Sequence, residues 1–220
     1  MMSKRLLGAW GFFALCTLIA GIVALALSFV WRAPNLLLNL TLSTTDLNLG
    51  TILGVVLIST FVFSLGCIVS GNTSTLRLYL LNWVLLGNGS LILIIGTFFW
   101  IYTLHERNNY HAIFGNESDA TKILIQDTLK CCGYFSATDE LAIGGNICTS
   151  QGAAEALNNF CVTPITKFAD ETLNNIFSTI YGFMAIIIGF FLANMCVIKR
   201  RQEFQRFEKI DAKRGGTGFV

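Results

Sequence analysis

Seven cysteines and two histidines are the residues of this 220-residue chain whose types could carry chemistry. Cys131, Cys132, Cys148 and Cys161 share one largely polar stretch, whereas Cys16, Cys67 and Cys196 lie in apolar runs. The first four could hold zinc or form two disulfides. Tetrahedral zinc sites draw on closely spaced C-x-x-C-type pairs or on cysteine with histidine. An adjacent pair followed by two long gaps, with no histidine nearby, favours disulfides, and no metal site is expected. A Cys131–Cys132 bridge would need a strained geometry, which leaves a nested and a crossed pairing open. His105 and His111 have no nucleophile in a recognisable pattern, and no phosphate-binding glycine loop follows a strand. Enzymatic chemistry is not expected, nor are a cofactor or nucleic-acid binding.

Hydropathy decides where these cysteines sit. The chain is 54% hydrophobic and 13% charged, against about 25% charged in soluble domains, so part of its surface must face lipid. A helix needs roughly 20 apolar residues to cross a bilayer. Four segments qualify: 6–31, 49–70, 78–103 and 176–198. The first is longer than the apolar region of a signal peptide and is expected to be a span. Trp10, Trp31, Trp83 and Trp100 lie in or beside these runs, as interfacial anchors do.

Lys4, Arg5, Arg77, Lys199, Arg200, Arg201, Arg206, Lys209, Lys213 and Arg214 fall on one side of such a topology. Only Arg32, Arg107, Lys122, Lys130 and Lys167 fall on the other. The basic side is cytoplasmic. Residues 1–5 and 199–220 are then cytoplasmic ends, and 71–77 an inner loop. Residues 32–48 form a small outer loop and 104–175 a large one that holds the four grouped cysteines.

Cys131-Cys132-Gly133 in the loop before the last of four spans, with two later cysteines and a short first loop, resembles the tetraspanin family over the whole chain. The resemblance implies an all-α integral membrane protein. Its core would be a four-transmembrane-helix bundle, with a small disulfide-stabilised extracellular domain between spans 3 and 4. It also implies the nested pairing, Cys131–Cys161 with Cys132–Cys148. The implied function is that of a membrane organiser in the plasma or endosomal membrane. It would gather other membrane proteins, itself included, with lipids such as sterols into microdomains. Gly145-Asn146-Ile147-Cys148 replaces the Pro-x-Ser-Cys common in animal members, and the loop is short, so no animal partner is carried over. The Tyr102–Phe114 stretch is similar to fungal members, which are associated with polarised growth.

Within the large loop, the third helix is expected to continue past the membrane through Ile113. Asn116 or Ser118 would cap a second helix ending at the CCG turn, where Gly133 supplies a positive φ. Thr163-Pro164 would open a helix running into the fourth span. Asp139, Glu140, Leu141 and Ile143 are the expected partner contacts in the irregular remainder.

Small-residue stripes (Cys16, Ala20, Ala24, Ser28; Gly50, Gly54, Gly66, Ser70; Ala185, Gly189, Ala193) suit close helix packing. Asn82, Asn88 and Asn194 are polar groups at depth, read as packing contacts. A channel or transporter subunit is the rival reading, but no span core carries the charged residues such routes use. A claudin-like layout would place the disulfide loop after the first span. Asn116 and Asn39 are outer-side glycosylation sequons, whereas Asn72 would be cytoplasmic and bare. Cys67, Cys196 and Cys16 are candidate palmitoylation sites. The tail from Lys199 to Lys213 alternates bases with Phe204, Phe207 and Ile210, as a surface-lying helix would.

Overall fold

The computed structural model describes residues 4–33, 35–69 and 75–213. Ser70, Arg214 and the Asn72-Thr73-Ser74 sequon lie outside these. The described chain is helical: α1 Lys4–Val30, α2 Leu36–Thr41, α3 Thr44–Val69, α4 Leu76–Leu104, α5 Glu106–Asn116, α6 Asp119–Leu129, α7 Gln151–Leu157 and α8 Val162–Lys213. Helices α1, α3, α4 and α8 are long and apolar enough to cross a membrane. Four such helices are compatible with a multi-pass membrane protein.

The helix boundaries follow from local chemistry. Helix α3 starts at Thr44, inside the expected first loop, because Ser43 and Asp46 cap it reciprocally. Ser43 Oγ accepts from the Thr45 amide at 3.3 Å, and Asp46 accepts from the Ser43 amide at 2.9 Å. The short helix α2 fills much of the rest of that loop. The third span does not run on unbroken to Ile113. Helix α4 stops at Leu104, and His105 (φ −119°, ψ 18°) leaves helical geometry before α5 restarts at Glu106. No breaker residue announces this corner. Helix α8 is a single run of 52 residues that carries the fourth apolar segment and the basic tail together. It opens at Val162, before Thr163, so Pro164 sits inside the first turn, where its missing N–H costs nothing.

The chain divides into two compact units. The first comprises residues 1–27, 49–95 and 180–220, the second residues 28–48 and 96–179. In the first unit, α1 and α3 meet backbone to backbone. A Cβ added at Gly54 would lie 2.6 Å from Leu25 Cγ and 2.9 Å from the Gly21 carbonyl. The reciprocal Cβ at Gly21 would lie 2.8 Å from Ile58. Gly21, adjacent to the Ala20–Ala24 stripe, is thus the residue of close approach. A Cβ at Gly189 on α8 would strike the Phe13 ring of α1. Gly66, also read as a packing position, has no neighbour within 4 Å of an added Cβ. In the second unit α2 packs on α5, and Tyr110, Phe114, Ile125, Ile165, Ala169 and Leu173 are buried.

Gly54→Leu should therefore destabilise the chain by about 1–3 kcal/mol through overpacking, while Gly66→Ala should be neutral or slightly stabilising. Thermal unfolding in detergent compares the two, and equal effects would contradict the crossing at Gly21 and Gly54.

Candidate functional site

The site is the segment between α4 and α8, and α6 delivers its first two cysteines. Ser118 caps α6, its side chain accepting from the Thr121 amide at 3.3 Å. Lys130 ends the helix in the left-handed region at φ 52°. Immediately beyond it, Cys131 is bridged to Cys161 and Cys132 to Cys148, with all four residues buried. The arrangement is the nested one. It leaves none of the four as a thiolate, so zinc has no ligands here. Gly133 follows at φ +70°, and a side chain there would run into the Ser136 carbonyl.

Backbone bonds then fasten the CCG strip to the chain entering α8. The Cys132 amide donates to Asn159 O at 3.0 Å, Cys161 to Gly133 O at 2.9 Å, and Val162 to Tyr134 O at 3.2 Å. Asn159 adds a side-chain bond to Lys130 O at 2.8 Å. Around the second bridge, Leu141, Ile147, Phe160, Ala137 and Ala154 form a small core. Helix α7 contributes Ala154 and is capped by Ser150, which accepts from the Ala153 amide at 3.2 Å.

Tyr134 is the central anchor. Its ring lies against Phe114, His111 and Phe135, and its hydroxyl donates to Arg107 O at 3.0 Å. Burial pushes its phenol well above the ordinary tyrosine range, so it remains a neutral donor. Asp127 holds the turn before Cys148, accepting from the Asn146 and Ile147 amides at 3.0 Å each. A side chain on Gly145 would collide with that carboxylate.

Of the four residues expected to meet a partner, three are taken up by the fold. Glu140 pairs with buried Lys122 at 2.5 Å, so that the lysine charge is not left alone in the interior. Asp139 accepts from the Phe135 amide at 3.0 Å and faces His111 at 3.2 Å. Leu141 packs on the disulfide core. Ile143 remains outward, 59% exposed, and Phe135, Leu157 and Leu124 are exposed apolar residues of the same unit.

Two of the three span amides meet. Asn194, fully buried, donates to Asn82 Oδ1 at 2.7 Å and to Leu78 O at 2.9 Å. Its own oxygen accepts from Trp10 Nε1 at 3.2 Å. Asn82 also approaches Met195 Sδ at 2.8 Å. Trp10 is therefore a buried hydrogen-bond donor stacked edge-on to Phe190, not an interfacial anchor. Trp83 and Trp100 are exposed. Asn88 lies apart from this group and donates to Thr60 Oγ1 at 2.7 Å. Thr60 carries no signal in the sequence beyond its helix position.

The modification candidates differ in access. Cys196 is exposed, Cys16 half-buried, and Cys67 buried with its thiol 3.3 Å from Arg77 O. Asn116 is exposed at the α5–α6 junction. Asn39 is exposed on α2, but the hydroxyl of its sequon threonine, Thr41, is buried and bonded to Leu37 O at 3.0 Å. Among the described residues no three His, Cys, Asp or Glu side chains gather as a metal site. No family model, curated protein or solved structure matches the chain.

Changing Cys132 and Cys148 together to alanine opens a loop of 16 residues, with an expected cost of about 3 kcal/mol for a loop of that length. The measurement is thermal unfolding of the full chain, and an unmoved midpoint would show that the bridge adds no stability.

Proposed function

We propose that this chain is a tetraspanin-like, non-enzymatic membrane organiser. Its four apolar helices would form a lateral bundle, and the disulfide-closed segment between α4 and α8 would face the extracellular or endosomal lumen. The observation that carries the reading is the Cys131-Cys132-Gly133 strip, with its two nested bridges, between the third and fourth apolar helices. Disulfides belong in an oxidising compartment. The basic ends belong in the cytoplasm, which gives the orientation.

The polar groups at depth support organising over transport. Asn194 and Asn82 bond to each other and to the neighbouring helices, and Asn88 bonds to Thr60. Groups spent on each other serve packing, whereas a solute path leaves its polar groups open to the solute. Partner membrane proteins would be bound laterally along the lipid-facing helix surfaces. The exposed apolar residues Ile143 and Phe135 would offer the luminal contact. Among the cysteines, Cys196 has the access that acylation requires.

Crosslinking in mild detergent followed by mass spectrometry should recover lateral membrane-protein partners, with crosslinks near Ile143 reduced several-fold by Ile143→Asp. Recovery of the chain alone, without partners or copies of itself, would remove the proposal. Glycan mapping should find sugar on Asn116 and none on Asn72, and a glycan on Asn72 would reverse the orientation.

A further inference from the structure

One group of polar side chains in the second unit holds buried oxygens without hydrogen-bond partners. It lies around the first turn of α5. Glu106 opens that helix, and its Oε2 is buried without a hydrogen-bond partner. The side chain it meets is Asp170 of α8, another carboxyl group. Two ionised carboxylates are both acceptors, so neither can satisfy the other. Tyr110, four residues on and so on the same face of α5, is fully buried, and its hydroxyl also has no partner. That hydroxyl is within electrostatic reach of Tyr102, Glu106, Asp46 and Tyr134. The cation facing the pair is Arg107. It is exposed, and its charge only partly offsets the repulsion.

A proton resolves this arrangement. With one proton between them, one carboxyl becomes a donor and the contact becomes a charge-assisted hydrogen bond. We propose that Glu106 and Asp170 form a single-proton binding site that latches the start of α5 to α8 when occupied and loosens that contact when empty. The proton comes from solvent and returns there on release. No other bond forms or breaks.

Electrostatics places the switch in a useful range. Burial first, then the Asp170 charge, then the hydrogen bond that only the protonated form can donate to Asp170, push the Glu106 carboxyl up from 4.5 to about 7. A carboxyl raised in the folded state stabilises fully below its unfolded value, and that stabilisation is lost as pH rises through the folded value. The α5–α8 contact is therefore tight in mildly acidic surroundings and looser at alkaline pH. If the segment is luminal as proposed above, acidification of a vesicle would close the latch. The latch itself does not depend on the organiser reading.

The test is hydrogen exchange of α5 amides in the full chain, in nanodiscs of uncharged lipid, corrected for intrinsic rates. Between about pH 8 and about pH 6 the wild type should slow by roughly tenfold, the signature of a local opening being suppressed. Glu106→Gln carries a permanent donor and should be slow at both, with the pH response lost. His111→Gln, which removes the contact with Asp139, should keep the full response. A flat wild-type profile, a pH response retained in Glu106→Gln, or one lost in His111→Gln would each overturn the proposal. Should Glu106→Gln fail to fold, infrared difference spectra of the wild type decide. A protonated-carboxyl carbonyl band must grow as pH falls through about 7, and its absence refutes the latch.

Discussion

Two consecutive cysteines tied to two different later residues are the constraint on which the loop unit depends. Bridges leaving a single dipeptide bring Cys148 and Cys161 to one place. Everything between and around them must then accommodate that convergence. The left-handed Lys130 stops α6 where the dipeptide must begin, and Gly133 turns the chain where a side chain would meet Ser136. Asn159 and Asn158 shape the return into Cys161, with Asn158 also in the left-handed region. So small a core could not order this many turns by apolar burial alone, and the covalent links offset chain entropy that packing does not.

The apolar helices face a different constraint. Their surfaces are too uniformly hydrophobic for burial to choose a register, because lipid solvates an exposed leucine as well as a neighbouring helix does. Specificity has to come from shape and from a few polar groups. Gly21 and Gly54 supply the shape, since any larger residue would separate the two backbones. Asn194 supplies the polar group, reaching Trp10 on α1 and both Asn82 and Leu78 on α4. A sliding register would strand these bonds, and an unpaired amide in an apolar setting costs several kcal/mol by roughly the transfer estimates for such groups.

What the sequence made legible was set by how local the signal was. The four apolar helices, the Ser118 cap and the need for glycine at position 133 are each written in a few neighbouring residues. Spacing alone left two cysteine pairings open, since connectivity depends on where the chain returns. The break at His105 was invisible because no glycine or proline marks it. The start of α3 is written in the Ser43–Asp46 cap and not in hydropathy, because the residues of its first turn are polar. Asp139, Glu140 and Leu141 looked available because polarity suggests exposure. They are engaged because Lys122, His111 and the second bridge come from elsewhere in the chain.

The polar groups of this protein therefore fall into two kinds, distinguished by chemistry. An amide offers a donor and an acceptor together, so Asn82 and Asn194 can close a network that no change of pH will alter. Two carboxyls offer only acceptors until a proton arrives. Placing Glu106 opposite Asp170, with Tyr110 buried beside them, gives up permanent satisfaction for a contact whose strength follows proton activity. A glutamine at 106 or an asparagine at 170 would have removed the conflict at no cost in size. That the chain carries two acids there means that the α5–α8 contact is the part of the loop unit whose strength its surroundings can set, while the disulfide strip beside Tyr134 stays fixed.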